Sequence, residues 1–133
     1  MTARDEAIHR GCAEAVDWRH GDFVSRASEF DAATVVTLDR VVCCYPAHEP
    51  LLGAAVRRAE RCLALSYPKD RWYVRAVMAL ENAGRRLKGN PFRTFVHSAG
   101  AMERLIRANG FRLVSRRRTV AWCADVYLRV APA

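Results

Sequence analysis

No run of apolar residues in this sequence approaches the roughly 20 that a membrane-spanning helix needs, so no membrane partner is expected. The N-terminal stretch MTARDEAIHRGCAEAV is charged and lacks the apolar core of a secretory signal, which points to a cytoplasmic protein. The five cysteines, Cys12, Cys43, Cys44, Cys62 and Cys123, include no CxxC pair and no pair at zinc-finger spacing. An odd count without a signal argues against a disulfide framework, so these thiols are read as small apolar packing residues. Lysine is scarce as well. Of 22 basic residues only Lys69 and Lys88 are lysine, so the net charge of +8 is carried by arginine. The dense basic run, Ser115–Thr119, falls inside an expected strand and has no interleaved aromatics. A solvated edge therefore accounts for it better than a nucleic-acid platform, and nucleic acid is not the expected partner.

What is present suits a single folded domain over residues 1–133. Half of the residues, 51%, are apolar, and a chain near 150 residues buries roughly 70% of its unfolded surface. Periodicity gives the element order. Residues 3–14 read as a helix, and 16–24, VDWRHGDFV, alternate as a strand closing on Gly21–Asp22. Residues 33–38 read as a buried strand. Apolar residues then recur at helical spacing over 49–62, and LALSYP, 63–68, reads as a strand. Asp70 is placed to cap a helix running to about Lys88, ended by Gly89 and Pro91. FRTFVH, 92–97, alternates briefly, and Ser98 can cap a further helix that closes at Asn109–Gly110. Strands at 111–120 and 122–130 complete the chain. Strands alternating with helices imply an α/β fold, mostly parallel, with a C-terminal antiparallel strand pair and helices on both faces.

The layout resembles the second half of a class I S-adenosylmethionine-dependent methyltransferase. WRHGDF is similar to the strand whose end carries an acidic residue for the adenine. FDAATVVTLDRVVCCYP is similar to that family's fourth strand and the turn after it. The helix followed by LALSYP, the join AMERLIRANGFRLV and the closing strand pair follow in the family's order. The departure is equally plain. The family's GxGxG loop is absent, because none of the seven glycines lies two positions from another. The resemblance therefore implies a partial, truncated Rossmann-like methyltransferase sheet, with S-adenosyl-L-methionine as the cofactor and a small-molecule acceptor.

Ligands of open parallel sheets sit at the carboxyl ends of the strands. By the resemblance, Asp22 would accept from the adenine amino group, with Phe23 near the ring. Leu38 and Asp39 would lie beside the rest of the cofactor. Without the resemblance, Asp22 reads first as an Asp in a polar turn. Arg40 can pair with Asp39 or hold an acidic acceptor by a bidentate contact. Tyr67 and Trp72 could line an acceptor pocket, with the helix 70–88 as its lid. His48 or His97 could serve as a base for an acceptor hydroxyl. Two rival readings stand beside this one. The chain could be a non-catalytic remnant that forms a homodimer through an exposed sheet edge, or a basic nucleic-acid-binding protein.

Overall fold

The computed structural model describes residues 2–131. The elements are α1 (Ala3–His9), α2 (Phe23–Arg26), β1 (Ala33–Asp39), α3 (His48–Arg58), β2 (Ala59–Pro68), α4 (Trp72–Leu87), α5 (Ala99–Ala108), β3 (Phe111–Arg118) and β4 (Trp122–Arg129). Four strands form one sheet in the order β1-β2-β4-β3. β1 and β2 pair in parallel, Val36 opposite Leu63 and Leu38 opposite Leu65. Parallel neighbours need a crossover connection, and α3 supplies it. β4 runs antiparallel to both β2 and β3. Three strands thus share one direction and β4 alone opposes them.

Several local signals act as the sequence suggests. The Ser98 hydroxyl accepts the Ala101 N–H and starts α5. Gly110, at φ 84°, ends it in the left-handed region that costs glycine nothing. The Gly110 N–H donates to the Arg107 carbonyl, and β3 begins at the next residue. α3 is shorter than its periodicity suggests, because Ala59–Cys62 pair with β1 and join β2. The carbonyls left over at the end of α3 find a partner: the Arg129 guanidinium donates to the Val56, Ala59 and Glu60 oxygens at 3.0, 2.6 and 2.9 Å.

The core lies between one sheet face and α3 with α5. Leu38, Leu63, Leu65, Tyr67, Phe111 and Tyr127 meet Leu51, Leu52, Val56, Met102 and Ile106, all buried. The opposite face is bare among the described residues. Val35 is 52% exposed and Leu128 37%, and Cys62, Ala64 and Val126 between them are half-buried. The expected helical cover on both faces is therefore found on one. β1 lies at one end of the sheet, and no described segment pairs with its outer edge.

Other expectations need correcting. Residues 16–22 are not a strand. Their alternation is real, but a strand needs a neighbour, and this stretch pairs with none. It leads instead into α2, where the Asp22 carboxylate accepts the Val24 and Ser25 N–H groups. Residues 92–97 form no strand either; they are held by Asn82, whose amide brackets Thr94 at 2.8 and 2.9 Å. Asp70 does not cap α4: its carboxylate takes the Arg75 guanidinium at 2.6 Å. The basic run at 115–119 is divided as well, since Arg116 turns inward to Asp125 and Glu103. No helix among the described residues is long and apolar enough to cross a membrane.

Candidate functional site

The carboxyl ends of β1 and β2 meet at Asp39 and Ser66. The Ser66 hydroxyl donates to the Asp39 carboxylate, and the Arg40 N–H donates to the same hydroxyl at 2.9 Å. Arg40 sits at φ 55°, and no other non-glycine among the described residues takes a positive φ. A non-glycine there carries strain of about 1 kcal/mol or more that the surroundings must hold. The Ser66 contact is one such hold. Trp122 is another, with its ring 4.9 Å from the Arg40 guanidinium carbon. Arg40 therefore turns away from simple pairing with Asp39. Together with Arg117, these residues line a hollow of about 140 Å³.

Asp22 approaches the segment beyond β1 from α2. Its carboxylate accepts from the Tyr45 hydroxyl as well as from the two helix amides. Phe23 packs on Phe30 with ring centroids 5.7 Å apart. Asp22, Phe23, Gly21 and Arg26 help line a second hollow of about 220 Å³. Both hollows are smaller than the roughly 300 Å³ at which small-molecule pockets begin. The rim thus offers parts of a ligand site rather than an enclosed one.

His97 and His48 pack at the same turn. His97 Nε2 lies 2.9 Å from the Tyr45 carbonyl, which only a protonated nitrogen can satisfy. The two imidazoles stand edge-on at 5.1 Å, and His48 Nε2 lies 3.8 Å from Glu49. Burial pushes both histidines below their ordinary pKa; Glu49 offsets this only in part for His48, with His97 adding to the depression, and a backbone hydrogen bond and Glu49 offset it only in part for His97. They are neutral near pH 7. The unfolded chain takes up protons below about pH 6.5 that these folded rings resist. Stability is therefore full above pH 6.5 and falls as the pH drops toward their depressed values. Urea midpoints measured from pH 7.5 to pH 5 should decline below about pH 6.5, and the double variant H48Q/H97Q should flatten that part of the decline.

The other expected site residues fare differently. Tyr67 is buried at 2% exposure, with its hydroxyl on Asp125 at 2.8 Å, so it has no free group for an acceptor. The Leu38 side chain lies in the core and leaves only its backbone near the rim. Trp72 stands at the first turn of α4 against Tyr73, 80% exposed and lining none of the rim hollows described above. Burial pushes the Cys43 thiol up to about 11, with Cys44 adding to it. Both thiols donate to the Arg40 carbonyl. Cys43 is a packing residue, not a nucleophile. No cluster among the described residues could hold a metal ion. Tyr45, Ser66 and Trp122 join the site without having been singled out from the sequence; the signal for Ser66 was its place one residue before Tyr67 at the end of a strand.

No protein-family model and no curated protein matches the sequence. Solved structures do share its fold. An O-methyltransferase family protein from Burkholderia thailandensis matches over 98% of this chain and 41% of its own length, at 16% identity and a TM-score of 0.76. An O-methyltransferase family 2 protein from Planctomyces limnophilus, solved with apigenin, matches over 96% and 39%, at 14% identity and a TM-score of 0.71. Magnesium protoporphyrin IX methyltransferase from Synechocystis PCC 6803, solved with bound SAH, matches over 91% and 57%, at 16% identity and a TM-score of 0.63. This chain thus has the fold of part of a methyltransferase domain and spans less than two thirds of each of these proteins.

Proposed function

We propose that this chain forms the strand-end rim of an S-adenosylmethionine-dependent methyltransferase acting on a small molecule. One observation carries the reading: the likeness at a TM-score of 0.76 over 98% of the chain to an O-methyltransferase family protein. The rim itself adds support. Asp22 keeps a carboxylate lone pair for the adenine amino group beyond its three present donors. Phe23 offers an apolar surface beside it. Asp39 and Arg40 stand at the next strand end, where Arg40 could hold an acidic acceptor by a bidentate contact. S-adenosylmethionine, when bound, supplies an electrophilic methyl group on a sulfonium. The protein's share of that chemistry is mainly alignment and exclusion of water. Neutral His97 and His48 could take a proton from an acceptor hydroxyl, with Nδ1 of His97 the nitrogen left unprotonated.

Asp22 and Phe23 suit the adenine side of the cofactor. The methionine carboxylate needs backbone amides such as a glycine-rich loop supplies, and the seven glycines here include no such pattern. The chain alone should therefore bind weakly. Titration with S-adenosylmethionine, followed by amide NMR, is expected to give a Kd of about 1 mM, near −4 kcal/mol. Shifts should concentrate at residues 20–24 and 37–41. Absence of shifts at millimolar ligand, or shifts centred elsewhere, would count against the reading.

A second reading has its own observation. The bare sheet face and the unpaired β1 edge suit a non-catalytic module that pairs with a second copy. Sedimentation velocity decides it: a dimer that Val35→Lys dissolves supports this reading, and a monomer at all concentrations removes it.

A further inference from the structure

α4 shows the opposite of normal burial. At 3.6 residues per turn, Trp72, Ala76, Ala79, Leu80, Ala83 and Leu87 fall within one arc, widened to roughly 160° by Tyr73 and Val77. That arc faces solvent. Leu87 is 89% exposed, Trp72 80%, Leu80 75% and Val77 53%. Scattered exposed apolar residues need no explanation, but a contiguous stripe this long marks a contact surface. The helix is anchored from its other side. Val74 is buried, the Tyr73 hydroxyl donates to the Val120 carbonyl at 2.9 Å, and Asn82 and Arg85 hold Thr94. The arc is therefore presented outward on a fixed helix.

Charge indicates what covers it. Residues 69–93 hold seven basic residues against two acidic, a surplus of five within the chain's net +8. Both acids are already paired, Asp70 with Arg75 at 2.6 Å and Glu81 with Arg85 at 3.1 Å. Arg71, Arg86 and Lys88 have no acidic partner among the described residues. On the wheel Arg75 and Arg86 border one side of the arc and Lys88 the other. An apolar stripe carrying Trp and Leu, rimmed by cations, is the pattern of a helix that lies in a bilayer interface.

We propose that α4 docks this protein on an anionic phospholipid surface, with Trp72, Leu80 and Leu87 entering the headgroup–acyl boundary and Arg86 and Lys88, on either side of the arc, meeting lipid phosphates. The absence of spanning segments has no bearing on this, since an interfacial helix crosses nothing. A second copy is a poorer occupant, because pairing two arcs would bring two cationic rims together. A nucleic-acid backbone would satisfy the rim and leave the stripe in water. The proposal is independent of the methyl-transfer reading and fails separately from it.

The test is co-sedimentation of the full chain with vesicles. Vesicles containing one third phosphatidylglycerol should capture it at low salt, with Trp emission shifting to the blue, and W72F should lose most of that shift. Pure phosphatidylcholine should bind at least about tenfold less, and about 1 M salt, where the Debye length is near 3 Å, should release most of the bound protein. L80E/L87E should weaken binding at least about tenfold with circular dichroism unchanged. Should that variant unfold, R86E/K88E replaces it, with the same loss expected. The proposal is overturned if anionic vesicles do not bind the protein, if both variants bind as the parent does, or if L80E/L87E instead dissolves a dimer present without lipid.

Discussion

Replacing Asp125 by alanine is expected to destabilise the protein by about 3 kcal/mol or more, the cost of breaking a buried ion pair from one side. Asp125 is 1% exposed and lies on β4. Its carboxylate takes both arms of the Arg116 guanidinium at 2.8 Å and the hydroxyls of Tyr67 and Tyr127 at 2.8 and 3.2 Å. Burial, with Asp125 adding to it, pushes both tyrosine hydroxyls well above their ordinary range, so they remain donors throughout the neutral region. Removing the acceptor leaves two buried O–H groups and a mostly buried cation without their partner. Arg116 retains Glu103 at 2.9 Å and is 21% exposed, which keeps the loss at the lower end of the usual 3–5 kcal/mol. Tyr127→Phe is the internal comparison. It removes one donor and no acceptor, so about 1 kcal/mol is expected. Urea denaturation checks both, with midpoints moving and the slope unchanged. Equal losses for the two variants would show that the carboxylate is not the centre of the network.

That network illustrates what a sequence conceals. Asp125 interrupts the apolar residues of WCADVYL, and Arg116 sits in a basic run that reads as solvated edge. Register alone joins them, since β3 and β4 place Arg116 opposite Asp125. The same holds at the strand ends. Asp22 and Tyr45 lie 23 residues apart, and Asp39 and Ser66 lie 27 apart. No spacing rule links such pairs; the parallel register of β1 and β2 joins Asp39 to Ser66, and Asp22 at the start of α2 meets Tyr45 beyond β1 only through the fold. Short-range chemistry was legible, because it is settled within a few residues. The Ser98 cap, the glycine at 110, β1 and the terminal hairpin all follow from local pattern. Residues 16–22 mark the limit. Their alternation satisfies one requirement of a strand, and the missing neighbour defeats it.

Helical periodicity has the same limit, and Leu51 set against Leu87 tests it. α3 and α4 both carry an unbroken apolar stripe, and the sequence gives no reason to rank them. Leu51 is fully buried where α3 meets the sheet and α5. Truncation to alanine removes three carbons and leaves a cavity that a close-packed seam closes only in part, so Leu51→Ala should cost about 2–5 kcal/mol. Leu87 is 89% exposed, and Leu87→Ala should stay within about 0.5 kcal/mol. A stripe reports only that some apolar surface will meet it. For α3 that surface is this chain's own sheet, whose face alternates Leu63, Leu65 and Tyr67 toward the helix. For α4 none of the described residues supplies that surface. A Leu87→Ala loss comparable to that of Leu51→Ala would place α4 within the core and remove the exposed arc on which lipid docking depends.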